Sequence, residues 1–418
     1  MISWNTCGNR IVLVLIALFL VLNPFPHVTA LQAISFNLAL VLLVVLVLSR
    51  SADFTFRTPF TWILAVYLGW SFASIFWSHD RANSFHDFYT HLLNYVVLFY
   101  ILVNFFNTER RFIILVKTIV ISTAVFSVAA IAYFYFVQGN PLSARLLPDP
   151  EIQPNMIGII TSFATVLSLS LLFREKRLPA VMMISACFAA SLAAMVLTYS
   201  RGSLVALIVS LVLLFSQNWK KLLLVMLAGT IIVSLMITLS PGFKERVVPE
   251  RILQDGRVKI IYTALEIIKE HPLTGIGFGM ETFRKEWNTY NSRLPQELQS
   301  RAFSHTHNFI LDVLVRLGLV GLIIFSCIIG ISLKTSWSLW RSGHGSFVRY
   351  WSHCSLSAFV VLLAAGMTGN IMNNHKSAVL FYVCLACTSI LHSLDSSTGK
   401  ESPVLTGTGE ENIRQTSE

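Results

Sequence analysis

Charge is what this chain has least of. Only 12% of its 418 residues are Asp, Glu, Lys or Arg, about half the share of an ordinary soluble domain. Hydrophobic residues make up 55%, a balance that excludes a water-soluble globular fold. Cysteine is also scarce. The six cysteines, Cys7, Cys187, Cys327, Cys354, Cys384 and Cys387, fall in or beside apolar runs and none lies in the long polar stretch, which excludes a disulfide framework. The Cys384-x-x-Cys387 spacing sits inside an apolar run, where packing accounts for it.

Familiar catalytic signatures are missing as well. There is no P-loop, no HExxH and no GxSxG, so the nucleotide, zinc and serine chemistries tied to those motifs have no support. Gly275, Gly277 and Gly279 follow a helical pattern and not a strand, so a dinucleotide-binding turn fails its context.

What is present is a series of apolar runs, each of a length to cross about 30 Å of hydrocarbon as a helix. Twelve are expected near residues 11–22, 34–48, 59–77, 88–103, 112–137, 155–173, 178–199, 203–216, 222–239, 307–333, 351–371 and 377–394. The expected fold is an all-α polytopic membrane protein with about 12 transmembrane helices and one helical loop domain. The first and eighth runs are short enough to be tilted or partial spans. Val28-Thr29-Ala30 resembles a signal-peptidase site, but the spans that follow favour an uncleaved first helix.

The positive charges orient this arrangement. With the N-terminus inside, one set of short loops holds fourteen Lys and Arg against the three acids Asp53, Glu109 and Glu175. The other set holds Arg81, Arg145, Arg201 and Lys376 against Asp80, Asp87, Asp149 and Glu151. The biased set is the cytoplasmic one, which puts both termini in the cytoplasm. The net charge of +10 is then a matter of topology, and nucleic-acid binding is not expected. The tail 395–418 is net acidic and is expected to be a disordered cytoplasmic tail.

One connection is long and polar. Residues 240–304 carry ten Lys and Arg against eight Asp and Glu and fall on the outer, periplasmic face. Ile260, Ile261, Ala264, Leu265 and Ile268 form one stripe, which predicts a helix over 258–270 after the start signals Asp255 and Gly256. His271-Pro272 ends it. A second helix is predicted over 281–291, with Phe283, Trp287 and Tyr290 on one face. That aromatic face suits the lipid interface and equally suits packing on the first helix.

Where this loop re-enters the membrane it reads Ser304-His305-Thr306-His307-Asn308. A neutral imidazole can take a proton from a hydroxyl near neutral pH, which makes His307 the leading base, although a histidine there can also be a cap or surface residue. Asp312 and Arg316 follow Asn308 at four-residue steps, where an ion pair is expected. His305 and His307 have a metal-ligand spacing without clustered carboxylates, so no metal is expected. Arg201 lies in the tight turn Thr198-Tyr199-Ser200-Arg201-Gly202, and Arg81, Arg145, Arg257 and Arg301 share its side of the membrane. Guanidinium matches phosphate oxygens, whether of a substrate or of lipid headgroups. A base beside arginines suggests a reaction on an anionic lipid carrier. A flippase or other transporter is the non-enzymatic alternative; no internal repeat of the kind that marks many transporters is evident.

At these residues the chain resembles the O-antigen ligase and O-antigen polymerase family. The ligases' pattern of His, then Asn, Ser or Gln, nine residues, Gly, two residues, then Gly, Thr or Tyr is met by His307, Asn308, Gly318 and Gly321. The Thr198–Gly202 turn and the Pro272-x-x-Gly275-x-Gly277 turn are similar to further family motifs. The resemblance implies an inverting, metal-independent glycosyltransferase of the GT-C type in the bacterial inner membrane, needing no cofactor. Its donor would be a glycan on undecaprenyl diphosphate. The acceptor would be a lipid A core sugar hydroxyl for a ligase, or another lipid-linked repeat for a polymerase. It further implies catalytic roles for His307, Arg201 and Arg257, with Asn308, Arg145, Arg301 and His305 binding substrate. The corresponding division is 1–185 for N-terminal transmembrane helices, 186–325 for the ligase-like core with its loop 240–304, and 326–394 for C-terminal helices.

Overall fold

The computed structural model of the chain describes residues 4–51, 54–239, 256–299, 303, 305–369 and 371–400. Every regular element among them is helical, as hydrocarbon demands when each backbone N–H and C=O must find its partner within one segment. Helices α1 (Trp4–Leu22), α2 (Thr29–Leu48), α3 (Thr61–Trp77), α4 (Arg81–Asp87), α5 (Asn94–Phe105), α6 (Glu109–Ile131), α7 (Pro154–Leu172), α8 (Leu178–Leu197), α9 (Arg201–Leu214) and α10 (Trp219–Leu239) precede the polar connection. Within it lie α11 (Gly256–Glu270) and α12 (Thr282–Asn291); α13 (Phe309–Ser342), α14 (Ser346–Gly366) and α15 (His375–Lys400) follow. A π-helical stretch, Phe88–Leu93, joins α4 to α5, and another, Ala132–Val137, extends α6.

All twelve expected apolar runs are helices. Among the described residues nine are long and apolar enough to cross a membrane, counting Arg81–Phe105 as one, while α1, α3 and α9 supply shorter apolar helices. The chain is a multi-pass membrane protein. Several boundaries differ from expectation, the first two helices starting earlier, at Trp4 and Thr29. The fourth span begins at Arg81, because Asp80 caps α4 by accepting from the Asn83 N–H. The tenth runs on to Ser342. The last helix continues to Lys400, so the start of the expected tail is helical, and 401–418 lie outside the described residues. So do 240–255, 300–302 and 304 of the polar connection, with the start signal Asp255.

Successive helices alternate between two ends of the bundle, and loops assigned to one side meet one another there. Lys376 Nζ donates to the Asn23 carbonyl (3.0 Å), Leu146 N–H to Leu197 O (2.9 Å) and Asn308 Nδ2 to Met367 O (3.2 Å). At the other end Asn104 Nδ2 donates to Thr55 O (3.0 Å) and Arg174 to Ser346 O (3.1 Å). Helices α7, α14 and α15 hold the centre, whereas the α10 window is only 6% buried and faces lipid. Hydroxyls inside α7 return to their own helix: Thr161, Thr165, Ser168 and Ser170 each donate to the carbonyl four residues back, which satisfies these four donors in hydrocarbon. Cys187, Cys354, Cys384 and Cys387 are buried free thiols and Cys327 is an exposed one; the Cys7 side chain lies outside the described residues.

Helices α11 and α12 form a lobe with its own small core of Ile260, Ala264, Ile267, Ile276, Phe283, Trp287, Tyr290 and Val315. The buried stripe of α11 is therefore Ile260, Ala264 and Ile267; Ile261 and Leu265 of the expected stripe face outward. The aromatic face of α12 packs against α11 and is not available to lipid, since Phe283, Trp287 and Tyr290 are at most 2% exposed.

The lobe is stitched to the corner between α3 and α4. Gly279 N–H donates to Ser84 Oγ (2.9 Å), Met280 N–H to Asp87 Oδ2 (2.7 Å) and Glu281 N–H to Asn83 Oδ1 (3.0 Å). Asp80 pairs with Lys285, and that ammonium is the main reason its carboxyl is held below the usual range. A depressed carboxylate adds stability that is full above its unfolded pKa, about 4, and is lost as pH falls through the folded value. Asp80→Asn should thus melt a few degrees below the wild type at pH 7, with the gap closing in strong acid. Differential scanning fluorimetry across pH checks this, and a gap unchanged in acid would refute it.

Candidate functional site

The site is built around a broken helix. Inside α13, Gly318 takes φ 66° and ψ −170°, a conformation open essentially only to glycine. The break strands carbonyls before it and N–H groups after it, and in a membrane each needs a partner. The segment 272–277 supplies most of them. Ile276 and Gly277 N–H donate to the carbonyls of Val315 (3.0 Å) and Arg316 (2.9 Å), while Leu319 N–H donates to Pro272 O (2.8 Å). Trp70 Nε1 takes the Leu317 carbonyl at 3.0 Å.

This contact explains one glycine in each motif. A Cβ on Gly275 would lie 2.5 Å from the Arg316 carbonyl, and one on Gly318 would lie 2.2 Å from that of Leu273. The two backbones touch because neither glycine carries a side chain. Arg316 closes the lock: its Nε donates to Phe278 O (2.7 Å) and its Nη1 to Asp312 Oδ2 (3.1 Å) and Asn373 Oδ1 (2.7 Å). Asn373 Nδ2 returns to Asp312 Oδ1 (3.3 Å). The expected Asp312–Arg316 pair is thus buried within a closed network, the condition under which a buried charge pair is tolerated.

The half-helix ahead of the break, 309–317, starts at a defined point. Asn308 caps it, its Oδ1 accepting from the Ile310 and Leu311 N–H groups (3.0 Å each). His307, immediately before, has φ 54°, an uncommon left-handed turn for a non-glycine residue, and the His305 and His307 ring centroids stand 4.1 Å apart. Both half-buried rings line a cavity of about 380 Å³.

The Thr198–Gly202 turn has a parallel construction. Tyr199 is also left-handed, φ 47°, is 1% exposed, and donates its hydroxyl to Leu142 O (2.8 Å). Ser200 then caps α9 by accepting from Ser203 N–H, which makes Arg201 the first residue of that helix. Gly202 must be small because a Cβ there would meet Thr368 Oγ1 at 2.0 Å; the adjacent Gly369 lines the cavity. Arg145 spans turn and cavity, donating from Nε to Thr198 O (3.0 Å) and from Nη2 to Asn155 Oδ1 (2.9 Å), and Asn155 is a lining residue.

Six helices, α2, α4, α7, α9, α13 and α15, begin at this end of the bundle. Helix starts carry partial positive charge and unpaired N–H groups, so this end suits an anion. The same cavity also presents Asp87, Glu151 and Glu281 with Asn83, Gln153 and Asn374, acceptors and amides of the kind that hold sugar hydroxyls.

The structure therefore places His305 and His307 in the cavity wall with Asn308 next in the chain, brings Arg145 to it through Asn155, and sets Arg201 beside Gly202, which packs on Thr368. Arg257 lies within α11, but its side chain, like all of Arg301, is outside the described residues. Sequence reading missed Asp87, His91, Asn155, Asn373 and Asn374, all of which line the cavity. Asp87 and His91 had a signal, as ionisable residues four apart at the edge of a span; the π-helical stretch that presents His91 had none. Much of the wall comes from 83–91, 151–159 and 369–377, before and after the ligase-like segment. Among the described residues, His27, Asp149 and Glu151 are three side chains placed to share one ion.

Comparison with known proteins bears on the middle of the chain. Residues 186–326 match the family described as O-antigen ligase, which supports O-antigen ligase or polymerase activity generally. No curated protein matches the chain. Tyr199, His307, Gly275, Gly318 and Gly321 all fall inside the matched segment, so the likeness to the O-antigen ligase and polymerase family rests on residues 186–326.

Proposed function

We propose that this protein is an O-antigen ligase of the bacterial inner membrane, transferring a glycan from undecaprenyl diphosphate to a sugar hydroxyl of the lipid A core at the periplasmic face. The observation that carries the reading is that the ligase-pattern histidine, held left-handed at the start of a broken helix, lines the cavity at the end where six helices begin. Orientation follows from the Lys and Arg bias, which makes the opposite end cytoplasmic.

In the reaction, the acceptor oxygen bonds to the anomeric carbon as the bond from that carbon to the diphosphate oxygen breaks, with inversion. His307 receives the hydroxyl proton, and undecaprenyl diphosphate leaves with the electron pair. Diphosphate is already a good leaving group, so the site's task is stabilising developing negative charge. Arg201 and Arg257, with Arg145 and Arg301, serve that task. Asn308 acts by fixing the His307 backbone, and His305 supports the neighbouring ring. Asp87, Asn373 and Asn374 hold sugar hydroxyls. Segment 186–325 supplies the base and glycine lock, while the helices of 1–185 and 326–394 complete the wall.

The test is reconstitution of the purified protein with undecaprenyl-diphosphate-linked glycan and lipid A core, read on a gel. Glycan-modified lipid A is the expected product. Longer carrier-linked glycan without use of the lipid A acceptor would instead identify a polymerase, and no product of either kind would remove the transferase reading. Arg201→Ala should lower transfer about 10²–10³-fold, the usual cost of losing one charge-stabilising donor, with its membrane yield unchanged.

A further inference from the structure

The end of the bundle remote from the histidines carries a groove of about 640 Å³ that the transfer reaction does not use. One wall is the last part of α13, where Lys334, Trp337 and Arg341 recur at the spacing of a single helix face. Leu333, Leu356 of α14 and Val360 make the apolar lining. The part of α13 after the Gly318 break, 319–342, rises about 36 Å at 1.5 Å per residue, against about 30 Å of hydrocarbon. It starts at the polar loop, so the excess stands at the far end, and Arg341 lies at headgroup level.

Two features separate this groove from a merely basic rim. Two cations elsewhere at this end are occupied: Arg174 donates to Ser346 O and sits 4.6 Å over the Tyr350 ring, and Lys117 pairs with Glu175 at 3.8 Å. Lys334 and Arg341 are exposed and have no acidic partner among the described residues. The groove is also braced. Trp340 stacks flat on His353, with centroids 4.0 Å apart and planes 1° from parallel, and His353 Nε2 donates to Leu213 O at 2.9 Å. That wedge ties the ends of α13, α14 and α9 together around the opening.

We propose that this groove binds an anionic glycerophospholipid of the adjoining leaflet. The phosphate sits between Lys334 and Arg341, the glycerol ester region rests against the half-exposed Trp337, and the acyl chains follow Leu333, Leu356 and Val360 into the hydrocarbon. Charge complementarity selects an anionic lipid over a zwitterionic one, and the apolar lining selects a lipid over a free anion.

The test uses the full chain, stripped of lipid in detergent and titrated with dioctanoyl phosphatidylglycerol or dioctanoyl phosphatidylcholine, with bound lipid counted by native mass spectrometry. Phosphatidylglycerol should bind at least about tenfold more tightly than phosphatidylcholine, and Lys334→Gln with Arg341→Gln should weaken it about thirtyfold if each cation contributes independently. The charge-conserving pair Lys334→Arg with Arg341→Lys should retain it. Equal binding of the two lipids, full retention in the glutamine variant, or loss in the charge-conserving variant would overturn recognition by charge. Displacement by an equal concentration of inorganic phosphate would overturn the lipid as occupant.

Discussion

Replacing His307 with glycine should lower glycan transfer by about 10²–10⁴-fold, the contribution typical of a positioned base, while leaving the protein folded and in the membrane. Glycine is the informative substitution because His307 has φ 54°. Histidine already bears a Cβ in this left-handed turn, at a cost of about 1–2 kcal/mol, so glycine relieves strain and leaves a gap that added imidazole can fill. Glycine adopts that turn freely, so its defect reports the lost imidazole. Two further arms sharpen the result. Added imidazole should restore part of the activity of His307→Gly, and His305→Ala should keep most of the wild-type rate. Transfer near normal in His307→Gly would remove this residue as the base.

The second large effect is expected at Gly318. Gly318→Ala puts a Cβ 2.2 Å from the Leu273 carbonyl group at a φ and ψ that side chains avoid. The backbone strain costs about 1–3 kcal/mol and the overpacking about another 1–3 kcal/mol. Neither neighbour can yield cheaply, because both are backbone and both carry hydrogen bonds that heal the break. The variant should show a large loss of thermal stability or of folded yield in detergent. Gly330→Ala, a glycine of the same helix whose Cβ would meet nothing within 4 Å, is the matched control. A Gly318→Ala protein as stable as that control would mean that the lock does not hold the site together.

Much of this architecture was legible in the chain. The apolar runs gave the helices because hydrocarbon forces local pairing of the backbone, and the polar connection with its two short helices was visible for the same reason in reverse. Asp312 and Arg316 were readable as a pair from their spacing alone. Other features were not readable. The stripe on α11 was displaced by part of a turn, since Ile261 and Leu265 are as apolar as the residues that pack; only the partner surface of α12 distinguishes them. The aromatic face of α12 satisfied either lipid or protein, and burial in the lobe core settled it.

The glycines show the division most clearly. The sequence by itself determined that His307, Asn308, Gly318 and Gly321 stand in a fixed pattern, and that Pro272, Gly275 and Gly277 form another. That the two patterns are halves of one contact was decided only by tertiary structure, because a helix can break within a membrane only where another backbone arrives to take up its freed carbonyls and N–H groups. The cavity is a tertiary product for a related reason. Its histidine wall is local to one segment, but Asp87, His91, Asn155 and Asn373 come from spans far apart in the chain, joined by the packing of helices whose apolar surfaces look alike in sequence.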